Sequence, residues 1–320
     1  MKKIIVTTTI NSPTEAIHKY INKKGWDMLI IGDLKTPHDE FRELEKNNAH
    51  VTYMSPEDQE EKYPLLSKVL GWRCYERKNI GFLDAYKNGY EIIANVDDDN
   101  VPYEHWGENV LVGQKVSVDV YDSDYDVFDP LMNTNRPDMW HRGFPIDKVK
   151  DRNSLYRGKK VIECLVQADL WDGEPDVDAI CKLTKDYNVK FTDFSPFTSH
   201  KIMPFNSQNS FLHRKILPFY MMLLDTERMA DIWGSYIAQK LFKNNDPYVI
   251  IHPSTVYHDR KDNPSPCTSG EHRSLIEDMR VEMQGYLAAS DFFVDSNWKN
   301  YLTENSLKAL EMYQECFLGD

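Results

Sequence analysis

Arg77-Lys78-Asn79-Ile80-Gly81, then Ala85 and Gly89, then Glu91-Ile92-Ile93-Ala94-Asn95-Val96-Asp97-Asp98-Asp99-Asn100, reads as a helix, a turn and a buried strand that ends in carboxylates. Ile92 to Val96 has the apolar, partly β-branched character of a central strand, and three acids at its tip cannot all be stored in a core without a counter-charge. They meet solvent, a cation, or both. An acidic turn is the plain alternative, but Arg77 and Lys78 on the preceding helix put cations beside the acids. Ligands of open α/β sheets bind at the carboxyl ends of strands, where carboxylates suit a hard divalent ion shared with phosphate oxygens.

Working outward, strand and helix signals alternate over the first hundred residues. The pattern predicts strands at Lys3 to Thr9, Asp27 to Ile31 and His50 to Met54. Helices are expected over Pro13 to Lys23, with Ser12 as cap, and over His38 to Asn47, Tyr63 to Leu70 and Asn79 to Asn88. This rhythm indicates a doubly wound α/β sheet with right-handed crossovers. Residues 101 to 160, punctuated by Pro102, Pro130, Pro137 and Pro145, read as loops and short strands. Trp106 and Trp140 in that tract either fill a secondary core or stack on sugar. The segment Val161 to Gly173 reads as a strand entering a polar loop, with Asp169 and Asp172 expected to bind sugar hydroxyls. Asp176 or Asp178 is read as a helix cap, and Val189 to Phe194 as a further strand. Asn206, Gln208 and Asn209 either line a polar pocket or form a turn. A helix opens over Leu224 to Trp233 with Asp231 in its first turn and an apolar stripe of Trp233, Ile237 and Leu241. Position alone makes Asp231 a cap or dipole partner. Near the C-terminus Ile276, Met279, Met283 and Leu287, then Leu307, Leu310, Tyr313 and Phe317, carry helical spacing. They imply an appendage that covers the sheet or forms a homodimer contact.

The 320 residues suffice for one large core or two modest ones, and 41% hydrophobic with 28% charged residues is ordinary globular composition. A net charge of −13 argues against nucleic acid or an anionic membrane as partner. It also means that an anionic ligand needs a local cation. The sequence holds no apolar run of membrane-spanning length, and Met1-Lys2-Lys3 leads straight into a strand, which implies a soluble, cytoplasmic protein. Cys74, Cys164, Cys181, Cys267 and Cys316 contain no Cys-x-x-Cys pair and are expected to be free thiols.

The helix and acid-tipped strand resemble the Arg-Asn-x-Gly helix and Asp-x-Asp (DXD) motif of GT-A glycosyltransferases. Together with Ile4-Ile5-Val6-Thr7-Thr8-Thr9-Ile10-Asn11-Ser12-Pro13-Thr14, Ile30-Ile31-Gly32-Asp33-Leu34-Lys35-Thr36-Pro37, Asp231-Ile232-Trp233-Gly234-Ser235-Tyr236 and Pro253-Ser254-Thr255-Val256-Tyr257-His258-Asp259-Arg260, they resemble the STELLO-like glycosyltransferase family. Eukaryotic members are anchored in the Golgi membrane, from which the absence of an apolar spanning run departs. The resemblance implies a GT-A-like doubly wound mixed sheet flanked by helices over residues 1–270, with a nucleotide-binding half (1–100) and an acceptor half (101–270). Residues 271–320 would be a helical C-terminal extension.

It further implies a glycosyltransferase that moves a hexosyl or pentosyl group from a nucleotide-sugar donor, a UDP-sugar, to a glycan or other hydroxyl acceptor. Mn2+ or Mg2+ would serve as cofactor. In that frame Thr8, Thr9 and Asn11 border base and ribose. Asp33 accepts from uracil N3–H, Arg77 touches base or phosphate, Asp97 meets the ribose, and Asp98 lines the donor site. Asp99 binds the metal with His258, and Asp259 or Arg260 touches diphosphate. Asp231 resembles the general base of inverting GT-A enzymes; as a substrate-binding group instead it would leave retention open. A nucleotidyltransferase would need a glycine-rich phosphate loop, and Thr7 to Thr14 contains no glycine. A nucleotide-sugar mutase or self-glycosylated nucleotide-sugar-binding protein is the other alternative.

Overall fold

The computed structural model describes residues 1–258 apart from 186, 187, 243 and 244, and then 292, 295 and 297–318. The expected elements of the first hundred residues are present as β1 (Lys3–Thr9), α1 (Glu15–Ile21), β2 (Asp27–Gly32), α2 (His38–Asn47) and β3 (Val51–Met54). They are followed by α3 (Pro56–Lys62), α4 (Pro64–Leu70), α5 (Lys78–Lys87) and β4 (Ile92–Val96). Two details differ from expectation. The cap of α1 is Thr14, not Ser12: Thr14 is extended and its hydroxyl accepts from Ile17 N at 3.2 Å. Helix α3 has no apolar stripe to announce it and rests on a capping box in which Ser55 and Asp58 exchange side-chain bonds.

After β4 come β5 (Val101–Pro102), β6 (Lys115–Asp122), β7 (Leu155–Glu163), β8 (Val166–Gly173), α6 (Ala179–Thr184), β9 (Phe197–Ser199), β10 (Asn209–His213), α7 (Ala230–Leu241), β11 (Val249–His258) and α8 (Glu304–Leu318). The segment read as a strand entering a polar loop is the end of β7 followed by β8, and β8 is buried along its whole length. Val189 to Phe194 contributes one isolated bridge, Val189 to Gly173, and is no strand. Helix α7 begins six residues later than Leu224, because Asp225 and Glu227 have φ of 59° and 47° and a short 3-10 turn intervenes at Glu227–Met229.

Among the described residues one eleven-stranded sheet runs in the order β3-β2-β1-β4-β10-β8-β11-β9-β6-β7, with β5 paired to β11. Strands β3, β2, β1 and β4 are mutually parallel, whereas β10 is antiparallel to both β4 and β8. The sheet is therefore mixed and flanked by helices, as in a GT-A-like fold. Alternate residues of each strand serve opposite faces. Ile5, Met28, Ile30 and Ala94 pack with Ile17, Tyr20 and Phe41 of α1 and α2. Ile4, Val6, Leu29, Ile31 and Ile93 pack with Ile80 and Leu83 of α5, Trp233 and Ile237 of α7, and Leu310, Tyr313 and Phe317 of α8. Trp106 and Trp140 belong to these cores. The apolar positions expected between Ile276 and Leu287 lie outside the described residues.

Candidate active site

The carboxyl ends of β1, β2 and β4 converge on the acid cluster. Thr9 at the end of β1 donates its hydroxyl to Asp98, and Asn11 Nδ2 donates to the same oxygen at 3.1 Å. The hydroxyl of Thr14, which caps α1, donates to the Asp98 carbonyl and ties that helix to the same tip. Burial, with the like charges of Asp99 and Asp97, pushes the Asp98 carboxyl up to about 6 against its two donors. Asp97 pairs with Lys78, whose ammonium is almost wholly buried and also donates to Ser207 O at 3.0 Å. Thr8 sits slightly apart, its hydroxyl spent on Ile31 O at 2.9 Å.

Asp99 and His258, half the chain apart in sequence, meet with Oδ2 and Nε2 at 3.3 Å. His258 ends β11 beside Gly173 at the end of β8. That glycine has φ of +89°, and a Cβ on it would lie 2.0 Å from the His258 carbonyl oxygen, so only glycine permits the approach. The Glu174 carbonyl lies 3.5 Å from His258 Nδ1, on the ring edge away from Asp99. The Asp99 carboxylate and the His258 imidazole are the side chains that would hold a divalent ion there. No group of three or more His, Cys, Asp or Glu is arranged to hold a metal among the described residues.

Four side chains expected to touch ligand are committed within the protein. Arg77 is 0% exposed, and its five N–H groups go to Gln59 Oε1 (2.9 and 2.6 Å), Ser67 O (3.1 Å), Ser67 Oγ (3.0 Å) and Gly71 O (3.0 Å). Its guanidinium stacks on Trp72 at 3.7 Å, and no donor remains for base or phosphate. Asp33 is likewise filled: its oxygens accept from the backbone N–H groups of Leu34 (2.5 Å), Arg73 (3.0 and 2.8 Å) and Cys74 (3.2 Å). Asp169 and Asp172 are buried within the sheet instead of facing a sugar. Asp169 accepts from Gln167 and Thr255, each at 2.7 Å, and lies 3.4 Å from His252. Asp172 accepts from Tyr103 Oη at 2.9 Å and Phe191 N at 2.8 Å. Asp178 is a helix cap as expected, whereas Asp176 is an ion-pair partner. Asp259, Arg260 and Cys267 lie outside the described residues.

Asp231 is held by residues that sequence reasoning missed. Arg142 Nη2 reaches its Oδ2 at 3.1 Å and its Oδ1 at 3.3 Å, Ser207 N donates at 3.0 Å, and Ser207 Oγ lies at a longer 3.4 Å. Arg142 also grips Asp176 at 2.5 and 3.0 Å. Burial would raise Asp176, but Arg142, with His141 and Lys182, outweighs it and holds the carboxyl well below the usual range. Asn206 Nδ2 donates to Asp176 at 3.1 Å, so the amide-rich run Asn206 to Asn209 was the sequence signal of this network. A continuous chain runs Asp97, Lys78, Ser207, Asp231, Arg142, Asp176, linking the strand tip to α7.

The fold and this rim define an α/β protein of GT-A-like architecture with a cluster of carboxylates at its strand ends. No protein-family profile matches the chain. It is 26% identical over 281 residues to "Probable glycosyltransferase STELLO2" of Arabidopsis thaliana, and 24% identical over 281 residues to "Probable glycosyltransferase STELLO1" of the same plant. Each similarity covers 80% of this chain, which spans about a third of those relatives, 35% of each. These similarities support a relationship to the STELLO-like glycosyltransferases. No helix among the described residues is long and apolar enough to cross a membrane.

Proposed function

We propose that the protein transfers a glycosyl group from a nucleoside-diphosphate sugar, with uridine diphosphate as its nucleotide, to an acceptor hydroxyl. The approach of Asp99 to His258 at 3.3 Å, on the rim that carries Asp97 and Asp98, is the observation that supports this reading. A divalent ion held by Asp99 and His258 would neutralise charge on the departing diphosphate. Asn11 and Thr9 hold Asp98 in place, and Lys78 holds Asp97 toward the ribose. Asp231 Oδ2 exchanges its long contact to Ser207 Oγ for the acceptor hydroxyl and takes its proton. The acceptor oxygen then bonds to the anomeric carbon from the face opposite the breaking C–O bond, whose electron pair leaves with the diphosphate, giving inversion.

Calorimetry of uridine diphosphate with and without Mn2+ is the binding test. The unaltered protein binds more tightly with metal, and Asp99→Asn loses that enhancement while keeping its melting temperature. Metal-enhanced binding that survives Asp99→Asn removes Asp99 from the site. Asp231→Asn should bind donor normally and lose transfer by about two to four orders of magnitude. The occupied oxygens of Asp231 favour the mutase alternative, and product analysis separates the two. A transferase releases nucleoside diphosphate in proportion to glycosylated acceptor, whereas a mutase interconverts the sugar without net release.

A further inference from the structure

With Arg77 and Asp33 both consumed internally, the donor's anionic and aromatic parts need other partners. The same bonds that consume Asp33 supply them. Asp33 N donates to Thr36 Oγ1 at 2.7 Å, and Thr36 Oγ1 donates to Thr9 O at 2.6 Å. The Asp33 carboxylate meanwhile clips Arg73 N and Cys74 N. The turns 33–36 and 71–74, remote in sequence, thus form one unit fixed to the end of β1, where Thr9 holds Asp98. Within it Arg73 has φ of 63°, a left-handed conformation that a residue with a Cβ keeps only when its surroundings impose it.

What the clip presents outward is specific. Arg73 and Lys35 are exposed, Leu34 is a 49% exposed apolar side chain, and Trp72 is partly exposed with one face on the Arg77 guanidinium. Among the described residues, Lys78, Arg142 and Arg77 near this rim are committed: Lys78 to Asp97, Arg142 to Asp176 and Asp231, and Arg77 to Gln59, Ser67 and Gly71. We propose that the clipped turns are the grip for the donor nucleotide: the Arg73 guanidinium pairs with the diphosphate, Trp72 and Leu34 seat the nucleobase, and Asp33 is a positioning residue that does not read the base. The inference rests on the glycosyl-transfer reading and assigns residues to its donor.

Calorimetric titration of the full chain with uridine, uridine monophosphate, uridine diphosphate and cytidine diphosphate tests it, with Arg73→Gly and Asp33→Asn as variants. Glycine suits the φ of Arg73, so Arg73→Gly keeps the backbone. It should weaken uridine diphosphate about ten- to a hundredfold, the loss of a charged hydrogen bond, and leave uridine unchanged. Asp33→Asn should weaken both diphosphates by a common factor, keeping their ratio. An unchanged ratio of diphosphate to nucleoside affinity in Arg73→Gly overturns the inference, as does a shifted uridine-to-cytidine ratio in Asp33→Asn. If the unaltered protein binds none of these ligands, with or without Mn2+, the glycosyl-transfer reading falls and takes the inference with it. Uridine diphosphate binding that is insensitive to Arg73→Gly sinks the inference alone.

Discussion

Arg77 is a cation whose hydrogen bonds all end on neutral oxygens, and burial pulls the guanidinium down to about 10 against the weaker opposing influence of Cys74, Asp33 and Glu60. Its work is to join α3, α4 and the turn that carries Trp72. Arg77→Met should therefore cost about 3 kcal/mol in urea unfolding, since Gln59 and Ser67 lose their donors, while the folded fraction keeps the ratio of diphosphate to nucleoside affinity that loss of a phosphate ligand would change. Affinity lost without stability would restore Arg77 to the ligand. The basic pair Arg77-Lys78 was legible as a feature of the site, but sequence does not say which cation is spent inside. The next residue, Lys78, is the one that meets an acid of the strand tip. That Asp99 and His258 meet was legible only so far as each follows or ends an apolar run, β4 and β11. Arg142 was not, because nothing in the loop around it advertises two carboxylates waiting in three dimensions.

Helix α5 lies so close on the sheet that Gly81 is its contact point. A Cβ there would stand 2.5 Å from Val6 Cγ1 and 3.1 Å from Ile31 Cγ1. Alanine has the better helix propensity by about 1 kcal/mol, but overpacking costs about 1 to 3 kcal/mol, and the β-branched partners cannot yield. Gly81→Ala should thus lower the melting temperature, and by moving α5 it should also weaken the Lys78 to Asp97 pair and nucleotide binding. A higher melting temperature would mean that the helix rides loosely. The early elements were legible from apolar spacing, which failed where spacing is not what makes the element. Helix α3 buries only Pro56 and Gln59 and exists through its capping box. Strands β6 and β7 pair antiparallel across a long insertion, and the prolines of that insertion masked their two-residue alternation.

Over the whole molecule, buried titratable groups set the response to acid. His141 is buried beside Arg142, and burial first, with that guanidinium second and against the pull of Asp176, lowers its imidazole to about 4. The unfolded chain protonates the ring below about 6.5 while the native protein does not, so between those values the unfolded state binds more protons. The stabilisation is full above 6.5 and is lost as pH falls toward 4. Between pH 7 and pH 5 the loss is about 2 kcal/mol. Raised acids such as Glu76 and Asp129, pushed up by burial to about 7 and about 6, act in the opposite direction. The measurement is therefore the difference between the unaltered protein and His141→Asn in urea at each pH, and parallel curves would dismiss His141 as a source of acid lability.

The strand order carries its own kinetic consequence. Strands β1 to β4 find neighbours laid down within the same hundred residues, but β4 completes its other edge only when β10 slots in antiparallel and brings β8 and β11 with it. Such distant pairings close slowly, because the chain entropy of a long loop is lost before any contact rewards it. During synthesis Ile92, Ile93 and Val96 therefore wait on an open strand edge until residues 209–213 have emerged. The juxtaposition of Asp99 with His258 belongs to the last phase of folding, so a ribosome-bound chain can close the 33–36 and 71–74 turns on each other well before those two side chains meet.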